Sequence, residues 1–119
     1  MGYYTAYNIN YKVPEGEDRE KFSQKLALGL YAVNSDFYYA ENYTIEDMIE
    51  CEMMKWYECE EDMCKLSKLF PDVLFIIEGF GEERDDVWRE YFYDGKFQYA
   101  PATIIFDDFD ESKLKELSN

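Results

Sequence analysis

The chain has 119 residues, 47% of them hydrophobic and 19% aromatic, enough for one domain with its own core and too apolar for a disordered segment. Its 27 acidic against 12 basic side chains leave a formal net charge of -15, a field that repels nucleic acid and anionic membrane and favours a basic partner. There is no histidine, which removes the commonest general base and the commonest neutral metal ligand, and no apolar run approaches the roughly 18 residues that a membrane span requires.

In chain order, Tyr3 to Val13 alternates, with Tyr3, Thr5, Tyr7, Ile9 and Tyr11 on one side, as a strand with one buried face does. Pro14 and Gly16 end it. The acidic run Glu15, Glu17, Asp18 suits a helix N-terminus, and Phe22, Leu26, Gly29, Leu30 and Val33 recur at helical spacing, so a helix is expected from about Asp18 to Val33, with Asn34 at its end. Asp36 to Tyr43 reads equally as a short strand or a loop. Thr44 is an N-cap with Asp47 in capping-box position. From there either one helix runs to Leu69 or two shorter ones meet near Trp56 to Glu58, the second beginning on its own acidic turn and stopping before Pro71; the two-helix reading is preferred.

Val73 to Ile77 is continuously apolar and reads as a central strand covered on both faces. Gly79 and Gly81 loosen the chain and Glu82 to Asp86 turns it. Two aromatic, alternating segments then flank Asp94-Gly95, a pair that tolerates the positive φ angles of a type I′ hairpin turn. Pro101 lacks an N–H, so the last strand should lie at a sheet edge or carry a bulge there. Trp88, Phe92 and Ile104 are expected to hold the sheet together, and a short helix from about Asp110 to Leu117 to close the chain. The order implies a single α+β domain over residues 1–119: a mostly antiparallel four-stranded sheet with helices on one face. If 36–43 is a further strand, the arrangement approaches a ferredoxin-like one with an added hairpin.

Candidate chemistry is sparse. Cys51, Cys59 and Cys64 stand eight and five residues apart, which matches neither a C-x-x-C pair nor a zinc ribbon; their odd number suits a reducing, cytoplasmic setting. Carboxylates gather at Glu78 to Asp86 and at Asp107 to Glu111 and could collect a hard cation, but neither has EF-hand spacing and solvated turns explain both. No serine lies in a G-x-S-x-G context, and Gly79-Phe80-Gly81 lacks the third glycine and helix of a nucleotide-binding turn. No catalytic residue, metal or cofactor is therefore expected.

What remains is an acidic and aromatic surface. Glu46, Asp47, Glu50 and Glu52, then Glu58, Glu60, Glu61 and Asp62, place eight carboxylates in one helical region against Lys55. Joined to the elbow residues Glu82, Glu83, Asp85 and Asp86, they could approximate a row of phosphates, with Tyr38, Tyr39 and Tyr43 as packing groups at the edge. A charge of this size exceeds the roughly 2 to 8 that solubility asks of a small domain.

From Lys55 to Lys96 the chain reads KWYECEEDMCKLSKLFPDVLFIIEGFGEERDDVWREYFYDGK. That stretch resembles small proteins of phages and other mobile elements that share a progression of W-Y, acidic helix, S-K-x-x-P, strand, G-x-G-E-E, W-x-x-Y-F and D/N-G-K. It covers about a third of the chain and transfers no functional residue. The resemblance implies an anti-CRISPR or anti-restriction type of protein, some of which mimic nucleic acid. Lys55, Lys65, Lys68, Arg84 and Arg89 interrupt the carboxylates here. The expectation is a non-enzymatic inhibitor that blocks a basic nucleic-acid-binding groove of a host nuclease or CRISPR effector. The alternative is a structural or immunity-like module that binds one protein through the aromatic hairpin.

Overall fold

The structure, a computed structural model, describes residues 3–50 and 53–117. Strand β1 (Ala6–Tyr11) is followed by helices α1 (Arg19–Val33), α2 (Ile45–Ile49) and α3 (Cys59–Leu69), then by strands β2 (Phe75–Phe80), β3 (Val87–Tyr93) and β4 (Lys96–Pro101). The strands form one sheet in the order β1-β2-β3-β4, antiparallel throughout. This is the α+β arrangement expected. Residues 36–43 form turns and bends, so the further strand that a ferredoxin-like arrangement required is not there.

Helices α1 and α2 start where side chains satisfy free N–H groups of the first turn. The Asp18 carboxylate accepts from Lys21 N at 3.0 Å. Thr44 and Asp47 cap each other's backbone reciprocally, Asp47 N donating to Thr44 Oγ1 and Thr44 N to Asp47 Oδ2. α3 carries Glu60, Glu61 and Asp62 in its first turn, where the helix dipole favours them. The region from Thr44 to Leu69 is thus two helices, joined by a non-helical strap over 53–58.

One face of the sheet meets the helices. Ile9, Ile77 and Glu90 lie in register across it, flanked by Tyr7 on one side and by Phe75 and Phe92 on the other, all buried. Phe22, Leu26 and Leu30 of α1 and Met63 and Leu66 of α3 complete the core; each such side chain contributes about 1.5–3 kcal/mol by leaving water. Strand β2 lies two residues later than the apolar run suggested, and its burial alternates. Helices cover only one side of the sheet, so Ile76 is half-buried where a doubly covered strand would hide it.

The hairpin turns on Asp94 (φ 48°) and Gly95 (φ 81°), as its sequence requires. Gly95 N donates to Ser67 Oγ of α3 at 2.8 Å, which ties the turn to the helical layer. Ala102 N donates to Val87 O, so Pro101, one residue earlier, directs its missing N–H to the free edge of β4. The opposite edge is covered. Thr5 exchanges two backbone hydrogen bonds with Met54 in the strap, at 3.0 and 2.9 Å, and Ile9 N donates to the Glu50 carboxylate at 2.8 Å.

Past Pro101 the chain leaves the domain. Residues 102–117 form an exposed arm, in which the expected helix at 110–117 reduces to a single 3-10 turn, Glu111–Lys113, capped by Asp110. Among the described residues nothing buries its apolar side chains, and a helix this short is not stable without such packing. Ile104, expected to hold the sheet, is 51% exposed on this arm; Trp88 and Phe92 do pack against the core. The arm raises the radius of gyration to 18.2 Å, against about 13.5 Å for a compact chain of this length.

Gly79 faces Trp88 across β2 and β3, and a Cβ there would fall inside the indole. Gly79→Ala is expected to destabilise the fold by about 1–3 kcal/mol through overpacking. A thermal unfolding midpoint equal to that of the parent chain would contradict this packing.

Candidate functional site

The site is assembled around Asp62, which is 4% exposed. Its Oδ2 accepts from the Trp56 indole Nε1–H and from Asn34 Nδ2, each at 2.8 Å. Three parts of the chain therefore meet on one oxygen: the end of α1, the strap and the first turn of α3. Trp56 is wedged edge-on between Tyr7 (5.3 Å between ring centroids) and Phe37 (5.2 Å). The remaining space forms an open cleft of about 620 Å³, lined by Phe37, Tyr38, Trp56 and Tyr57 among its aromatics and by Asp36, Asp47 and Glu58 among its acids, with Lys55 as its cation.

The acidic elbow closes by two backbone hydrogen bonds, Gly81 N to Asp86 O and Asp86 N to Glu83 O. It is stitched to the strap through the N-terminal tyrosines. Tyr4 N donates to the Glu82 carboxylate, Glu83 N donates to Tyr3 Oη, and the Lys55 ammonium lies 4.8 Å from the Tyr4 ring centroid. The elbow and the strap leading into α3 are thereby brought to the same end of the molecule.

The expected site residues divide into two groups. Glu58 at the end of the strap, Glu60 and Glu61 on α3, and Glu82, Glu83 and Asp85 on the elbow are exposed, although Glu61 is paired with Lys65 at 3.5 Å. Tyr38 is 75% exposed at the cleft. Tyr39 stacks on Tyr31 with centroids 5.3 Å apart. The second group serves the fold. Asp62 was expected on the binding surface and is instead enclosed, because its carboxylate is the shared acceptor for Trp56 and Asn34. Glu50 is committed to the edge of β1. Glu46 accepts from Tyr11 Oη at 2.6 Å and meets Arg19 at 3.5 Å; Asp47 caps α2 while lining the cleft; Asp86 is half-buried in the elbow. Glu52 and Cys51 lie outside the described residues.

Sequence reasoning passed over Glu90. It sits in the helix-facing row of β3 between Trp88 and Phe92, 3% exposed, and its Oε2 has no hydrogen-bond partner among the described residues. Burial, reinforced by the neighbouring Glu60 carboxyl, pushes its pKa from the ordinary 4.5 up to about 8. The signal was available: Trp88-Glu90-Phe92 alternates as one buried row, and a carboxylate in such a row must be neutralised or paired. Cys59 beneath it is buried too, and that burial raises its thiol pKa; the thiol is not poised as a nucleophile.

Among the described residues no three Cys, Asp or Glu side chains are placed to hold a metal ion, and no helix is long and apolar enough to cross a membrane. The chemistry the cleft offers is recognition of a cation. Carboxylates at its rim and aromatic faces along its walls suit a guanidinium or ammonium group.

Two consequences can be measured. Asp62→Ala strands two buried donors and should cost about 2–4 kcal/mol in stability while quenching or shifting the emission of Trp56; an unchanged unfolding midpoint would contradict its place as the hub. For Glu90, the folded state holds a proton that the unfolded chain releases above about 4.5. The stability this provides is full below that pH and is lost as pH rises through about 8. Glu90→Gln should therefore gain on the parent chain by about 2 kcal/mol or more between pH 5 and pH 9; parallel stability curves would refute the shift.

Comparison of the chain with protein-family models, with curated proteins and with solved structures found no match, so the functional reading rests on its own residues.

Proposed function

We propose that this protein is a phage-encoded, non-enzymatic inhibitor that presents its acidic end to a basic nucleic-acid-binding groove of a host defence protein, such as a nuclease or CRISPR effector, in the host cytoplasm. The observation that carries this reading is the convergence of Glu58, Glu60 and Glu61 with Glu82, Glu83 and Asp85 at one end, beside an aromatic cleft that fits a cationic side chain. A partner arginine entering the cleft would lie against Tyr38 and Tyr57 while Asp36 and Glu58 meet its charge. The surrounding exposed carboxylates would steer the approach and set its salt dependence.

A second reading has its own observation. Tyr93, Phe97 and Tyr99 of the hairpin are each about half exposed, at 51%, 51% and 52%, which suits an immunity-like module that binds through aromatic contacts. Salt separates the two. A complex made by the acidic end weakens steeply from low to physiological ionic strength, whereas a hairpin-centred one barely responds.

The test is a set of cleavage assays with CRISPR effectors and restriction nucleases at micromolar protein. Inhibition of at least one is expected, and reversing Glu58, Glu61, Glu83 and Asp85 to lysine should weaken it on the order of tenfold or more. If no nuclease of the panel is inhibited, or if inhibition survives the reversal, the proposal fails.

A further inference from the structure

The arm and the uncovered face of the sheet are two unsatisfied surfaces, and their chemistry matches. On the arm, Ile105, Phe106 and Phe109 are 82%, 85% and 80% exposed. Asp107 and Asp108 separate Phe106 from Phe109, and Asp110 and Glu111 follow. Burying these three side chains would contribute several kcal/mol, and among the described residues the arm finds no cover. On the sheet, the face opposite the helices holds a groove of about 260 Å³, walled by Phe80, Val87, Tyr91 and Ala100 and floored by the Glu78–Arg89 ion pair at 2.6 Å. The strand residues of that face carry Arg89 and Lys96 against the single carboxylate Glu78. In a chain of net charge -15, the strand residues of this face thus carry more cations than carboxylates, which favours an acidic, apolar segment there.

The position of the arm selects its occupant. It departs at Ala102, which also lines the groove and is hydrogen-bonded to Val87. Beyond that point residues 102–110 contain no turn, so the arm runs away from its own groove instead of doubling back into it. An identical groove on a second copy is the complement that arrives with an identical arm. A two-fold pair would satisfy both arms and both grooves at once and leave neither surface open. From this juxtaposition we infer that the chain forms a homodimer by reciprocal arm exchange, each C-terminal arm lying across the uncovered sheet face of the other copy. The cleft and the carboxylates of α3 lie on the helical side, whereas the elbow, which joins β2 to β3, borders the groove at Phe80 and Val87; the pairing stands on the arm and the groove and not on the inhibitor reading.

The test uses the full chain and two single-site variants, one in each half of the contact. Sedimentation velocity across the micromolar range should give a two-chain mass for the parent protein. Phe106→Asp, on the arm, and Tyr91→Glu, on the groove, should each raise the dimer dissociation constant roughly tenfold or more, with circular dichroism spectra like the parent's. Mixing the two variants restores one intact arm with one intact groove and should recover a heterodimer. A parent protein that stays monomeric throughout the range overturns the inference, whether its arm then folds back or serves another protein. A dimer that Phe106→Asp leaves intact overturns it as well.

Discussion

One carboxylate oxygen organises the end of the molecule where recognition is expected. Asp62 Oδ2 holds Asn34 and Trp56 together inside the protein, and a buried carboxylate left without those donors would be costly. Trp56 returns its N–H to the first turn of α3, and the chain does not continue as one helix from Thr44. It opens into the strap, and the strap in turn lies along β1 through Thr5 and Met54. The same indole separates Tyr7 from Phe37, which sets the wall of the cleft. The break between the helices, the sealed edge of β1 and the cleft therefore meet at the strap that carries Trp56.

The acidic side chains fall into two functional populations, and the net charge alone does not distinguish them. Glu46, Asp47, Glu50 and Asp62 are spent on caps, edges and buried donors; Glu78 neutralises Arg89 across the sheet; and Glu90 is buried among apolar neighbours. Glu58, Glu60, Glu61, Glu82, Glu83 and Asp85 remain outside. Only the second population generates a field that a partner would sense. A row of phosphate-like charges along α2 is thus replaced by two short clusters, on α3 and on the elbow, joined through Tyr3 and Tyr4.

The sheet is treated asymmetrically. At β1 the free N–H of Ile9 is covered by a carboxylate and Thr5 is paired with the strap, while β4 carries Pro101 at its open edge, which blunts strand addition there. Helices cover one face and leave the other to the groove and to whatever the arm brings. The cleft and the uncovered face lie on opposite sides of the sheet, and the elbow, between Phe80 and Val87, borders the groove at one end.

Much of the fold was legible from local signals, because each depended on a few neighbouring residues. Asp94-Gly95 dictated the hairpin turn, Asp18 and Thr44 dictated helix starts, Pro101 pointed to an edge, and the alternation of Tyr7 with Ile9 marked the buried side of β1. The tertiary structure alone decided which carboxylates are free. Nothing in the run Glu58 to Asp62 marks its last member as buried, since that depends on Trp56 and Asn34 arriving from elsewhere in the chain. It alone decided that residues 102–117 stand clear of the core, because periodicity records that a segment is apolar and not whether a surface exists to receive it. The sequence by itself therefore determined the elements and the overall negative field; long-range hydrogen bonding and packing decided where that field is exposed.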